Sequence, residues 1–237
     1  MEFLIDAFKN AFFLIVSLDK ELLEIITLSL KVSLTALFFA SLFGIPFGAF
    51  LGLKNFLGKT VILILLNTGM GLPPVVVGLF LYMLFSRSGP LGFLQLLYTP
   101  TAMIIAQFIL AFPIVTALTQ SAIVKVDPII KLTARTLGAT PFQVALTVIK
   151  EARYGIVAGV IAGLGRVMAE VGAILIVGGN IAGYTRVITT TIALETDKGN
   201  FELALALGII LLIISFIINI SFYIIQKRGI PPNIAWL

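Results

Sequence analysis

The sequence has no cysteine and no histidine among its 237 residues. These two absences exclude disulfides, the usual zinc sites, thiol nucleophiles and histidine acid–base catalysis. Charged residues are scarce at 11%, whereas a soluble domain carries about a quarter. Hydrophobic residues make up 59% of the chain, and the mean hydropathy is +1.14. The few charged residues could not cover this much apolar surface in water. We therefore expect an all-α integral membrane protein.

The net charge of +5 is the one feature that could point to nucleic acid. Lys and Arg lie mainly at the ends of apolar runs, where such residues set membrane topology. They do not form the clustered basic patch that nucleic acid would need. We therefore expect a lipid bilayer around the chain and no nucleic-acid partner.

Long uncharged runs predict about five transmembrane helices, because one crossing needs about 20 mostly apolar residues. The predicted spans are residues 32–53, 60–86, 101–121, 154–177 and 203–226. They belong to one transmembrane domain at residues 22–226, followed by a short tail at 227–237. Residues 3–18 predict an interfacial helix within an N-terminal segment 1–21, since the basic n-region of a signal peptide is missing there.

The distribution of Lys and Arg predicts the orientation of these spans. Nine of these residues lie after spans one and three and in the tail, and five lie on the opposite side. The richer side marks the cytoplasm. We expect a multi-pass protein of a prokaryotic inner (plasma) membrane, with its N-terminus outside and its C-terminus in the cytoplasm.

Two spans carry glycine at every fourth residue, and several contain proline. This glycine spacing lets helix backbones approach closely in lipid. We favour packing within one subunit, and a subunit interface is the alternative. The prolines predict kinks. The glycines are Gly44, Gly48 and Gly52 in span one and Gly155, Gly159 and Gly163 in span four, and the prolines are Pro46, Pro73, Pro74 and Pro113.

Residues 125–152 are too polar to cross a membrane, yet they carry clear signals for local structure. Residues 132–137 predict a helical turn that Gly138 ends with a positive φ. Thr140 predicts the N-cap of a second helix, with Pro141 at its first position. A helix, a glycine turn and a short helix on the cytoplasmic surface form a rigid protrusion suited to docking on a soluble partner.

The run of residues 134–141 resembles the EAA loop of type I ABC importer permeases, although Leu132 and Thr133 stand where that loop has Glu and Ala. In that family the loop is a coupling helix that sits in a cleft of the cytoplasmic ATP-binding subunit. The resemblance implies the type I importer transmembrane fold. It assigns coupling to the ATPase to Ala134, Arg135, Thr136, Leu137, Gly138, Ala139, Thr140, Pro141 and Phe142.

The same resemblance implies the partners of the chain. They are a second copy of itself, two cytoplasmic ABC ATPase subunits and an extracytoplasmic oxyanion-binding protein. ATP and Mg would be bound by the ATPase subunit, and this chain would hold no metal or cofactor. The Walker A pattern does not occur in the sequence, which agrees with a transport subunit that has no ATP site and is not itself an enzyme.

Other segments resemble the permeases of molybdate, sulfate and tungstate importers, namely residues 71–78 and 86–92. Residues 169–173, 177–181 and 185–196 are more similar to the tungstate branch. We therefore expect import of tungstate, with molybdate or sulfate as the alternative cargo. A self-sufficient channel or secondary carrier is a further alternative; it would predict inverted repeats or interrupted helices, and no clear repeat is present.

Passage of a dianion requires hydrogen-bond donors and positive potential, with binding weak enough for release. The predicted extracytoplasmic loop at residues 178–198 is rich in such groups. We favour ordinary loop and helix-cap roles for them; contact with the pathway or with the binding protein is the alternative. The candidates are Asn180, Thr185, Arg186, Thr189 and Thr190.

Arg166 and Glu170 are charged residues within predicted span four. Charges at membrane depth are costly and are usually paired or functional. Their i, i+4 spacing would place them one helical turn apart, where they could neutralise each other. We favour a buried structural pair over direct contact of Arg166 with substrate.

Overall fold

The computed structural model describes Lys9, Phe13 and residues 20–227, with side chains up to residue 224. Within these residues the regular elements are all helical, as the sequence predicts. Besides a 3-10 turn at Gly92–Leu94, the described helices are α1 (Lys20–Leu53), α2 (Lys59–Met70), α3 (Pro74–Phe85), α4 (Pro100–Val124), α5 (Pro128–Thr136), α6 (Pro141–Glu151), α7 (Arg153–Met168), α8 (Gly172–Gly178), α9 (Ile188–Asp197) and α10 (Phe201–Lys227).

Three helices, α1, α4 and α10, are each long and apolar enough to cross a membrane. Two further pairs qualify as bent spans, since α2 and α3 meet at 101° and α7 and α8 at 57°. Counting each pair as one span gives up to five, which confirms the predicted number. We predicted residues 60–86 and 154–177 as single spans from the sequence, whereas the structure divides each of them into two helices.

The interruption between α2 and α3 follows from two consecutive prolines. Pro73 is extended, with φ −66° and ψ 124°, and Pro74 is the first residue of α3. Proline lacks an N–H and disfavours helical backbone in the residue before it, so the pair separates the two helices. Pro46 and Pro113 instead remain inside α1 and α4.

The interruption between α7 and α8 contains no proline. Glu170 lies just before α8, and its Oε1 accepts a hydrogen bond from Ala173 N at 2.9 Å. A carboxylate at this position satisfies an N–H group that lacks an intrahelical partner and is favoured by the helix dipole. Glu170 thus starts a new helix in the middle of an apolar run.

Helix α4 lies at the centre of the fold, in contact with both α1 and α7. The two glycine stripes face it. A Cβ on Gly48 would lie 2.5 Å from Thr116 O, and one on Gly155 would lie 2.6 Å from Ala122 Cβ. No larger side chain fits at these separations, so the helix backbones pack directly. The stripes therefore serve packing within one subunit, as we expected.

Helix α1 begins at Lys20, well before the predicted start of the first span at residue 32. Its 34 residues correspond to a length of about 50 Å, which exceeds the roughly 30 Å of a bilayer core. The predicted interfacial helix at residues 3–18 lies outside the described residues, apart from Lys9 and Phe13, which are both exposed. The tail from residue 228 onward lies outside them as well.

Candidate functional site

The α5–α6 protrusion, residues 127–151, is built by short-range capping contacts. Asp127 Oδ1 accepts a hydrogen bond of 2.9 Å from a backbone N–H in the first turn of α5. After α5, Gly138 has a φ of 82°, and Ala139 N donates to Ala134 O at 3.0 Å. This is a Schellman motif, and it confirms the glycine turn predicted from the sequence.

A capping box fixes the start of α6. Thr140 Oγ1 accepts from Gln143 N at 3.4 Å, and Gln143 Oε1 accepts from Thr140 N at 2.7 Å. Pro141 occupies the first helical position, where its missing N–H has no consequence. The predicted N-cap and first residue of α6 are thus confirmed, and the protrusion has a defined shape.

One face of the protrusion is apolar and uncovered by the described part of the chain. Leu137 is 81% exposed and Phe142 is 77% exposed, and Leu132 on α5 is exposed as well. Arg135 lies among them and is also exposed. Apolar side chains grouped with a cation on a polar segment outside the spans are typical of a protein interaction surface.

The opposite face of the protrusion is anchored to the membrane-spanning helices. Val144 and Val148 on α6 are buried, and Val148 packs in a cluster with Ile123 of α4 and Ile156 of α7. A single residue, Ala152, separates α6 from α7. Any force applied to α6 therefore reaches α4 and α7 through packed side chains.

Four polar side chains hydrogen-bond to backbone atoms at or near the interruptions of the bent spans, and we call them the polar centre: Gln107, Arg166, Glu170 and Thr189. Arg166 Nη2 donates to Leu72 O at 3.0 Å, which joins the end of α7 to the break between α2 and α3. Glu170 is 3% exposed, and its backbone carbonyl accepts from Thr189 Oγ1 at 2.8 Å. The two interruptions are therefore linked.

Arg166 and Glu170 take different partners in this geometry. Helix α7 ends at Met168, so Glu170 is not one turn further along the same helix. Its carboxylate caps α8, whereas the guanidinium bonds Leu72 O. The mutual i, i+4 ion pair that we expected is not among the ion pairs of the described residues.

Gln107 is a member of the polar centre that the sequence analysis missed. It is 1% exposed in the middle of α4, and its Nε2 donates to Val167 O at 2.8 Å and to Ser33 Oγ at 3.3 Å. Its Oε1 has no hydrogen-bond partner in the described part of the chain, and the residue lines a cavity of about 20 Å³. The sequence does carry a sign of this residue, because an amide side chain in the interior of the apolar run 101–121 is unusual at membrane depth.

The three threonines among the loop candidates are buried, and their hydroxyls bond to backbone carbonyls of the same subunit. Thr185, Thr189 and Thr190 each donate to a backbone carbonyl, at 2.6, 2.8 and 3.0 Å respectively. The hydroxyl groups thus hold the chain between α8 and α9 in shape. This supports the structural role that we favoured; contact with a pathway or a binding protein stays a prediction.

The other two candidates border the same loop. Asn180 has a φ of 50°, and its Nδ2 lies 3.5 Å from Thr190 O. Arg186 Nη1 lies 3.6 Å from Glu21 Oε1, which connects the loop to the first turn of α1. Both side chains are partly exposed, so they are the loop candidates that an external partner could reach.

A charged cluster ends α9 on the same side of the molecule. Lys198 Nζ lies 2.7 Å from Glu195 Oε1, and Asn200 Nδ2 donates to Glu195 Oε2 at 3.0 Å. The hydrogen bond from Lys198, followed by that from Asn200, lowers the pKa of the Glu195 carboxyl. The cluster fixes the turn that leads into α10.

Residues 44–230 match the family described as "Binding-protein-dependent transport system inner membrane component". This range includes only the last ten residues of α1, together with the α5–α6 protrusion, the polar centre and α10. The chain belongs to this family and is a multi-pass inner-membrane permease. The family resemblance drawn from the EAA-like segment is thereby confirmed.

Individual relatives give a narrower view. The chain is 45% identical to the tungstate uptake system permease protein TupB of Peptoclostridium acidaminophilum, over 96% of this chain and 100% of that protein. It is 44% identical to a probable anion ABC transporter permease protein of Haloferax volcanii, over 84% and 88% of the two chains. It is 40% identical to TupB of Campylobacter jejuni, over 92% of each chain.

Proposed function

We propose that this chain is the membrane permease of an ATP-driven importer that carries tungstate into the cell. The observation that carries this proposal is similarity along almost the whole chain to a tungstate uptake permease, at 45% identity. The match includes the α5–α6 protrusion and both interrupted spans, so it does not depend on apolar runs alone. Relatives named for molybdenum and sulfate transport are 31% identical. Molybdate and sulfate are therefore the anions against which tungstate is compared.

The importer would contain more than this chain. In our proposal two copies of the permease enclose the pathway, two cytoplasmic ATPase subunits bind ATP and Mg, and an extracytoplasmic binding protein delivers the anion. The permease contributes the pathway and no ATP site of its own. The uncovered apolar face at Leu137 and Phe142 supports the docking of a soluble subunit there.

Coupling would act through the packed face of the protrusion. When the ATPase subunits close, they displace α6, and Val148 transmits the movement to Ile123 and Ile156. Because protein interiors are densely packed, α4 and α7 follow α6 instead of absorbing the movement. The protrusion lies on the cytoplasmic side in this arrangement, with the N-terminus outside, as the distribution of Lys and Arg predicts.

The proposal is tested with the reconstituted complex of permease, ATPase and binding protein. We expect tungstate to stimulate ATP hydrolysis and uptake at much lower concentration than molybdate or sulfate. Equal stimulation by molybdate, or a response to sulfate alone, would keep the importer and reject tungstate as its cargo.

A secondary carrier is the second candidate, because interrupted spans such as α2–α3 and α7–α8 are also found in carriers. The same vesicles distinguish the two candidates. A carrier would move tungstate without the ATPase subunit and would respond to an ion gradient. We expect no uptake under those conditions.

A further inference from the structure

The guanidinium of Arg166 has unused hydrogen-bonding capacity at membrane depth. A guanidinium carries five N–H donors. In the described structure one of them is used, from Nη2 to Leu72 O at 3.0 Å. The Nε atom is buried and has no hydrogen-bond partner. A cation with unpaired buried donors is costly in an apolar environment, so this arrangement requires an explanation.

Neighbouring acidic groups do not supply the missing partner. Glu170 is the nearest acidic residue in sequence, and its Oε1 is engaged with Ala173 N at 2.9 Å as the cap of α8. None of the described carboxylates forms an ion pair with Arg166. Glu170 acts on this guanidinium electrostatically, but no described carboxylate lies within ion-pair distance, so the remaining N–H donors are available to another anion.

The surroundings of Arg166 leave room for such an anion. The side chain is partly exposed, and Ala162, Gly165 and Ala169 beside it on the same stretch of chain are exposed and small. A Cβ on Gly165 would meet no atom within 4 Å. An arginine does not face hydrocarbon when an aqueous cavity or a protein interior is available. This face of α7 therefore borders a water-containing space or a further protein surface, such as the second permease copy that we propose, and not lipid.

We propose that Arg166 is the residue that contacts the oxyanion in transit, at the level where both bent spans are interrupted. This inference rests on the proposed function and names the contact that the cargo makes in the permease. A planar guanidinium matches two oxygens of a tetrahedral dianion. The bond to Leu72 O holds the side chain in place, and α3 begins two residues later with no side-chain cap on its N-terminus. A single arginine with no other binding side chains around the anion would bind it weakly enough for release.

The experiment compares Arg166→Gln and Arg166→Lys in vesicles that contain the complete complex. Both replacements keep an N–H donor for Leu72 O, but only lysine keeps the charge. We expect Arg166→Gln to lower tungstate uptake about tenfold or more, as for loss of a hydrogen bond to a charged group. ATP hydrolysis stimulated by the loaded binding protein should persist. Arg166→Lys should restore most of the uptake.

The control is Arg87→Gln, which removes the same charge from an exposed position just after α3, and it should transport normally. A purely structural role for Arg166 predicts similar uptake by the Gln and Lys variants, and that result would overturn the proposal. If the wild-type complex itself takes up no tungstate, the proposed function fails instead. The two failures are therefore distinguishable.

A second variant covers the case in which Arg166→Gln does not assemble. Gly165→Leu leaves Arg166 intact and adds a side chain where the structure has open space, so we expect it to fold. The added bulk beside the guanidinium should reduce tungstate uptake several-fold, with normal co-purification of the ATPase. Unchanged uptake in Gly165→Leu would place the anion elsewhere and reject the proposal.

Discussion

The α5–α6 protrusion and the polar centre are held together by different kinds of contact. In the protrusion, partners such as Ala134 and Ala139 or Thr140 and Gln143 are only three to five residues apart. In the polar centre, Arg166 reaches a carbonyl 94 residues away and Gln107 one that is 60 residues away. The protrusion can keep its shape while it moves as a unit, whereas the polar centre depends on how whole spans are placed.

The largest expected effect comes from Gly138→Val, which tests the shape of the protrusion. A β-branched residue at a φ of 82° is strained by roughly 1–2 kcal/mol or more, so the turn should change. We expect the protein to reach the membrane but to lose the coupling of tungstate uptake to ATP hydrolysis. Gly199→Val is the matched control, because Gly199 also has a positive φ, of 78°, and open surroundings. Full tungstate uptake by Gly138→Val would contradict the docking assignment.

Phe142→Ala should have the next largest effect, on association with the ATPase subunit. Removing a large side chain at the centre of an interface typically weakens binding about tenfold to a hundredfold. The stability of the permease should not change, since Phe142 is 77% exposed. Phe93→Ala provides the control, because Phe93 is 76% exposed but lies in the turn before α4. Equal loss of ATPase co-purification in both variants would show that the assay reports non-specific hydrophobic association and not docking.

The same substitution in both regions gives a direct comparison of their stabilities. Gln107→Leu removes the 2.8 Å hydrogen bond to the buried Val167 carbonyl, which then keeps only the 3.4 Å bond from Glu170 N, and should lower the free energy of unfolding by about 1–2 kcal/mol. Gln143→Leu breaks an exposed capping box and should cost about 0.5–1 kcal/mol. Unfolding of the purified protein in detergent measures both. Equal losses would contradict the difference between the two regions.

The smallest effect concerns pH and the cluster at the end of α9. Hydrogen bonds from Lys198 and Asn200 lower the pKa of Glu195 below its usual 4.5. A lowered pKa in the folded state stabilises the protein above the unfolded value, and this stabilisation is lost as the pH falls through the folded value. It should be small, because Lys198 is 55% exposed and water screens its charge. The melting temperature should therefore fall more below pH 5 for the wild type than for Lys198→Met; parallel curves would exclude the contribution.

Local signals in the sequence predicted the protrusion almost completely. Gly138, Thr140 and Pro141 each act within one turn of the chain, so their conformations do not depend on distant residues. The number of spans was predictable for a similar reason, because length and apolarity alone decide whether a helix can cross. The glycine stripes also packed as expected, since their four-residue spacing is a property of a single helix.

The polar centre was not predictable to the same degree. The prolines at 73 and 74 suggested a kink, but the angle of 101° depends on how α2 and α3 pack against other helices. The break at Glu170 has no proline, and the expected pair with Arg166 assumed a continuous helix. The importance of Gln107 depends on the buried carbonyl of Val167, which lacks a helical i+4 partner because α7 ends at Met168.

The close approach of α1 to α4 also constrains how this sequence can change over evolutionary time. A Cβ on Gly48 would lie 2.5 Å from Thr116 O and 2.8 Å from Thr119 Cβ, so the two helix surfaces share one fixed volume. An enlargement at position 48 can be accepted only if α4 moves, because the 2.5 Å contact is to a backbone oxygen that no substitution on α4 removes. Position 48 should therefore stay glycine among related permeases, whichever anion each of them carries.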